Sequence, residues 1–271
     1  MEKGTPLKAI LGREAVACLA QNILYVHGKF DAEGFCESTL QDLDSLELMQ
    51  RGQHIAAQLH RFLPDSYAKA MEVLLESLTP PNTETEDLGL AVFFYLPLSC
   101  FIAEYGENPD FNKGHDPFDL SMRAMKELTT RFTAEFAIRP FLIRQQERTL
   151  LQVTSWLDDP NPHVRRLCSE GTRPRLPWGN RIPALITDPR PTLPILEALK
   201  NDESLYVRRS VANHLGDIAK SHPEITFSTC TRWLREGASP ELQWAIRHAV
   251  RHPAKKGDAR ALEIRAKARG N

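Results

Sequence analysis

Long hydrophobic runs are missing from this 271-residue chain. No apolar stretch approaches the roughly 20 residues that cross a bilayer, which argues against a membrane protein. The N-terminal MEKGTPLKAILGREAV does not read as a signal peptide, because Gly12, Arg13 and Glu14 break its apolar stretch at once. Cysteine is scarce. Cys18, Cys36, Cys100, Cys168 and Cys230 are odd in number and scattered. That argues against a disulfide framework or a cysteine-based zinc site, and for reduced, buried thiols in a soluble cytoplasmic protein. The phosphate-binding loop, the dinucleotide fingerprint and the nucleophile elbow of serine hydrolases are all absent. His248 and His252 share a helix face, but no third ligand is evident and Arg247 and Arg251 would repel a cation. Neither a metal nor a cofactor is expected.

Convincing strand alternation is lacking too, and what the chain has instead is helical periodicity. Apolar residues recur at i, i+3, i+4 over 7–26, 32–62 (with a break near Gly52), 66–78, 88–105 and 118–139. Pro64, Pro80, Pro81, Pro109 and Pro117 punctuate them. The expected class is all-α.

Net charge is close to zero only on average. Residues 1–130 carry 10 Lys+Arg against 20 Asp+Glu, whereas residues 131–271 carry 24 against 15, and 19 of those 24 cations are Arg. Arginine favours planar, bidentate contact with phosphate or carboxylate, so the basic half suits a nucleic acid. The plainer alternative is a set of solvated helix faces.

The basic half also repeats itself. WLDDPNPHVRRLCSEG (156–171) aligns with LKNDESLYVRRSVANH (199–214) at an offset of 43, which puts Val164-Arg165-Arg166 on Val207-Arg208-Arg209. A looser copy, LREGASPELQWAIRHAV (234–250), follows at an offset of 35. Helix, short Asp/Asn/Pro turn, helix at this period is the pattern of HEAT-like repeats, whose units bury their inner faces by stacking into a curved solenoid with a concave side. One HEAT-like domain over 1–271 is expected, with an acidic part (1–130), basic repeats (131–253) and a basic tail (254–271).

From the end of the first copy into the loop after it runs VRRLCSEGTRPRLPW (164–178), where four arginines surround one carboxylate and one indole and lysine is absent. Pro174 and Pro177 stiffen the loop, lowering the ordering cost of presenting Arg173 and Arg175 to an anion. Trp178, between Pro177 and Gly179, reads either as a cap on a repeat edge or as an aromatic against a nucleotide. Trp156, Trp233 and Trp244 lie on apolar stripes and read as core.

RFTAEFAIRPFL (131–142), VRR followed by SEGTRPRLPW (169–178), and VANHLGDIAK (211–220) together resemble the bacterial alkylation-repair DNA glycosylases of the AlkC type, HEAT-like relatives of AlkD. The resemblance covers roughly residues 5–253. It implies hydrolysis of the N-glycosidic bond of cationic methylated bases, chiefly 3-methyladenine, in double-stranded DNA and without base flipping. It implies Glu135, Glu170 and Asp217 as the acids and Trp178 as the aromatic near the damaged nucleotide. Arg166, Arg173, Arg175, Arg208 and Arg209 would lie along the DNA. Some relatives carry a further immunoglobulin-like domain, and this chain is expected to lack its contacts. A monomer on alkylated DNA, nucleoid-associated in the bacterial cytoplasm, completes the expectation.

The acids also draw attention without the resemblance. Glu170 precedes a terminal glycine, Asp217 closes its helix, and Glu135 is read as lying near a helix end before Pro140. Acids in a last turn oppose the helix dipole. Pairing with nearby cations (Arg131 or Arg139, Arg166 or Arg173, Lys220) is the structural alternative. No lysine is expected near these motifs to form a Schiff base with the sugar, so hydrolysis in a single step is preferred. A non-catalytic HEAT-like scaffold, or a module that binds DNA structure, is the competing reading.

Overall fold

The computed structural model describes residues 6–86 and 89–269, and these residues are helical without a β-strand. The all-α expectation is met. Two compact units divide the chain at Ile138/Arg139, close to the charge boundary. The expected helix start at Leu88 lies outside the described residues.

The first unit holds α1 (Arg13–Val26), α2 (Ala32–Leu40), α3 (Leu48–Phe62), α4 (Tyr67–Glu76), α5 (Leu96–Tyr105), the short α6 (Pro109–Asn112) and α7 (Phe118–Thr129). One expectation changes at its start. Leu7–Val26 is a 20-residue helical stretch long and apolar enough to cross a membrane by length and composition. Here Val16, Leu19, Ala20 and Ile23, at helical spacing, are buried in the unit, and α1 packs on α2 and α4. The thiols change as well: Cys168 and Cys230 are buried, but Cys18 is exposed.

Gly52 does not break a helix. The break comes earlier, between Leu40 and Leu48, and Gly52 sits inside α3 where α5 crosses it. A Cβ there would stand 2.9 Å from Leu96 Cγ and 3.1 Å from Cys100 Sγ. Gly52→Ala should therefore gain helix propensity yet lose about 1–3 kcal/mol through overpacking. A fall in the urea midpoint checks this; an unchanged midpoint would mean that α5 yields freely.

The helix expected over 118–139 is also two. α7 stops at Thr129, and α8 (Ile138–Arg144) starts afresh with Pro140 in its first turn, where the missing N–H carries no penalty. Glu135 thus precedes a helix start rather than closing a helix, and the dipole argument does not apply to it.

The second unit continues with α9 (Gln146–Thr154), α10 (Pro162–Glu170), α11 (Pro183–Thr187), α12 (Leu193–Leu199), α13 (Leu205–Ile218), α14 (Pro223–Arg235), α15 (Pro240–Ala249), α16 (Arg251–Lys255) and α17 (Ala259–Lys267). Helices α10, α13 and α15 lie side by side, backed by α12 and α14. The sequence repeat reappears as repeated bonds. Arg165 Nη1 donates to the carbonyls of Asp159 and Pro160 at 2.9 and 3.1 Å. At the same register Arg208 Nη1 donates to those of Asp202 and Glu203, and Gln243 Nε2 to that of Ala238 at 3.0 Å. Asp159 and Asp202 likewise accept the backbone N–H of Asn161 and Ser204. The middle residue of each V-R-R therefore fastens the turn before its own helix. The tail is a packed helix: Ala261 and Ile264 of α17 are buried, and Arg260 meets Glu224.

Candidate active site on the second unit

The repeat register sets the first acid. Asn161 caps α10, Pro162 opens it, and Glu170 is its last residue before Gly171. On the next helix of the row, Asp217 lies one residue from the end of α13. Both carboxylates are buried, Glu170 at 5% and Asp217 at 3% exposure. Arg173 lies between them, with Nη1 2.5 Å from Glu170 Oε1 and Nε 2.8 Å from Asp217 Oδ2. Ser210 Oγ donates to Glu170 Oε2 at 2.6 Å, Arg166 approaches Oε1 at 3.6 Å, and Lys220 Nζ reaches Asp217 Oδ1 at 2.7 Å.

Electrostatics follow from that arrangement. Burial pushes the Glu170 carboxyl upward, but Arg166, Arg173 and the Ser210 hydroxyl outweigh it and hold it below the usual carboxylate range. Burial alone would weaken the Arg173 cation; Glu170 and Asp217 more than restore it. His214, fully buried beneath them, is pushed down to about 4 by burial and by the Arg173 charge. It is neutral near pH 7, and its Nδ1–H donates to the Ser169 carbonyl at 2.9 Å.

Three arginines expected along DNA have other work. Arg173, expected beside a phosphate, is only 8% exposed and committed to two carboxylates. Arg208 clamps its turn. Arg166 is partly buried, stacked 4.9 Å over the Tyr206 ring as well as facing Glu170. Arg209 is exposed on α13. Arg175 is half-buried, with Nη2 2.8 Å from Ser221 Oγ.

The loop after Gly171 is held from within. Arg139, fully buried, donates to the carbonyls of Gly171, Pro174 and Asn180. Gly179 lies close against it, since a Cβ there would come within 3.1 Å of Arg139 Cδ. Trp178 emerges from this clamp 69% exposed and with φ of 63°. A bulky side chain rarely adopts that left-handed backbone, and such strain persists where surrounding contacts enforce it. Beside it opens a hollow of about 550 Å³ lined by Arg175, Leu176, Trp178, Arg181 and Lys220. Trp156 and Trp233 are buried as expected, whereas Trp244 is partly exposed and stacks on His248 at 5.1 Å.

Glu135 belongs to the first unit. It is 9% exposed, and its Oε2 accepts from Thr133 Oγ1 at 2.9 Å. Ser210 and His214 escaped sequence reasoning as parts of the site, while Arg139 and Lys220 enter it only as pairing cations for Glu135 and Asp217; Lys220 does pair with Asp217, whereas Arg139 holds the loop. The first two occupy one face of α13 at i, i+4, the same face that carries Asp217, and that spacing was a signal within reach. Lys220 corrects an expectation, because a lysine does stand at the acids.

No protein-family model matches the chain. It is 39% identical over 259 residues to an uncharacterized protein of Bacillus subtilis (strain 168), YhaZ, across 95% of this chain and 67% of that one. Among solved structures it is similar to the Pseudomonas fluorescens alkylpurine DNA glycosylase AlkC bound to DNA containing an abasic site analog. That likeness has a TM-score of 0.83 and 39% identity, over 96% of this chain and 67% of the other. At that identity and coverage, the chain belongs to the AlkC family of DNA glycosylases.

Proposed function

We propose that this protein is a monofunctional DNA glycosylase that hydrolyses the N-glycosidic bond of cationic N-methylated bases, chiefly 3-methyladenine, in double-stranded DNA and without base flipping. One observation carries the reading. Two buried carboxylates on adjacent helices share one arginine, and one of them opens through Lys220 onto a cationic hollow beside an exposed, strained tryptophan. The likeness to a glycosylase bound to DNA with an abasic site analog supports it.

The chemistry suits these groups. A cationic methylated base leaves readily, so no strong general acid is needed. Positive charge develops on the deoxyribose, as in glycoside hydrolysis, and a preorganised carboxylate stabilises it and can orient water. Asp217, buried behind Lys220 at the edge of the hollow, takes that role; Glu170, closed in by Arg166, Arg173 and Ser210, fixes Arg173 and with it Asp217. Glu135 acts as a third acid toward the sugar. Trp178 packs against the damaged nucleotide, and Arg175, Arg181 and Arg209 meet phosphates, so affinity falls steeply with salt. A monomer, cytoplasmic and nucleoid-associated, that needs no metal or cofactor belongs to the same reading.

The test is incubation with methylated duplex DNA and identification of the free bases. Release of 3-methyladenine without a borohydride-trapped adduct on Lys220 is the expected result. DNA binding with no base released would make the chain a binding module. Trp178→Ala should lower the release rate roughly tenfold, about the loss of one base-stacking contact, while leaving the melting temperature nearly constant. A lowered melting temperature with a wild-type rate would return Trp178 to a capping role.

A further inference from the structure

The two acids of the second unit have four carboxylate oxygens, and each is covered. Glu170 Oε1 faces Arg173 and Arg166, Glu170 Oε2 faces Ser210, and Asp217 Oδ2 faces Arg173. Those covering groups are themselves largely buried: the Arg173 side chain is 9% exposed and that of Arg166 17%. Asp217 Oδ1 differs. Its cover is Lys220, whose side chain is 50% exposed. An ion pair with one partner half in water is easily exchanged, and lysine carries its charge on a flexible four-carbon stem.

Lys220 also has somewhere to go. It borders the hollow together with Arg175 and Arg181, and among the described residues no carboxylate lines that surface. Arg175 is fastened to Ser221, the residue after Lys220. Past Lys220, His252 is held below its ordinary value by burial and by the charges of Arg251, Lys220 and Lys255, against an opposing pull from Asp217. A phosphate placed in the hollow competes directly with Asp217 for the ammonium group. The exchange has a chemical consequence. While Lys220 sits on Oδ1, its charge cancels the carboxylate where a cationic sugar needs negative potential. Once Lys220 has moved, that oxygen is open to the sugar or to water.

We infer that Lys220 is a phosphate-released latch on Asp217: it masks the acid in the free protein and is drawn onto the DNA backbone when substrate enters the hollow. Lys220 is a positioning residue in this scheme, and the scheme rests on the glycosylase reading given above. It makes activation of the acid conditional on DNA, with no movement of the helices.

Two substitutions separate the latch from a plain structural salt bridge. Lys220→Ala loses a phosphate contact. It should weaken binding to damaged and undamaged duplex alike, and flatten the slope of log affinity against log salt by about one. Lys220→Arg keeps the phosphate contact but forks onto Asp217 and leaves it less readily. Its affinity should stay within roughly threefold of wild type, with base release at saturating DNA slowed about fivefold or more. The measurements are a salt series of binding isotherms and single-turnover release of 3-methyladenine from methylated duplex. The latch is overturned if Lys220→Ala slows release at saturating DNA more than Lys220→Arg does while keeping the wild-type salt slope. Wild-type release with that inverted order defeats the latch alone. Absence of release by the wild type defeats the glycosylase reading and the latch with it.

Discussion

Asp217→Asn is expected to slow base release at saturating DNA by about 10²–10³-fold, the scale of removing one preorganised electrostatic group from a site. The fold should survive. An asparagine keeps one oxygen for Arg173 Nε, and its amide turns toward Lys220, which is half-exposed and can swing away. The thermal penalty is then that of one imperfect buried hydrogen bond, about 1–3 kcal/mol. Affinity for DNA should hold or improve, because a negative charge has left a cationic surface. Single-turnover kinetics beside binding isotherms measures both. A wild-type rate with intact affinity would remove Asp217 from the chemistry.

Arg173→Met is expected to act on stability first. It leaves two buried carboxylates without their shared cation, and breaking such a pair costs about 3–5 kcal/mol. The deficit has a pH signature. In the wild type Glu170 is held below its ordinary 4.5, so its contribution is present above that value and disappears as pH falls through the lower, folded value. In Arg173→Met the arginine's pull is gone and burial again favours the neutral acid. The gap between the two proteins should be larger at neutral pH and should narrow as pH falls, starting where the variant's less stabilised carboxyl protonates and ending once the wild-type carboxyl, held below 4.5, protonates as well. Urea denaturation at neutral and acidic pH measures it. A loss under about 1 kcal/mol together with a tenfold drop in DNA affinity would place Arg173 against phosphate after all.

That reversal for Arg173 shows what the sequence could and could not carry. The V-R-R repeat was legible because an offset of 43 residues preserves a bond pattern, Arg165 to 159–160 and Arg208 to 202–203, that the structure displays. Glu170 and Asp217 stood out because acids at helix ends oppose the dipole and ask for a partner. Arg166 or Arg173 for Glu170 and Lys220 for Asp217 are partners that the spacing offers, and both acids have them; what was not legible is that Arg173 also reaches Asp217 and joins the two acids. T-R-P-R-L-P reads as an exposed basic loop, and nothing local distinguishes Arg173, drawn inside, from Arg175, left nearer the solvent. The difference arises from Arg139, more than 30 residues upstream, which anchors the loop's carbonyls and turns Arg173 inward. Gly52 misled for a related reason. A glycine within a helical pattern reads as a stop, yet its role is the close passage of α5, a contact between segments over 40 residues apart. Glu135 was placed in a helix that ends at Thr129. For Arg173 and Gly52, local propensity was outweighed by a tertiary contact with no local mark.

The most direct test compares wild type with a Glu170→Gln, Asp217→Asn double variant on the same methylated duplex, following free bases by mass spectrometry and DNA affinity in parallel. The account predicts 3-methyladenine release by the wild type, its near-complete loss in the variant, and DNA binding by both. Equal release by both proteins, or binding without release by either, would contradict it.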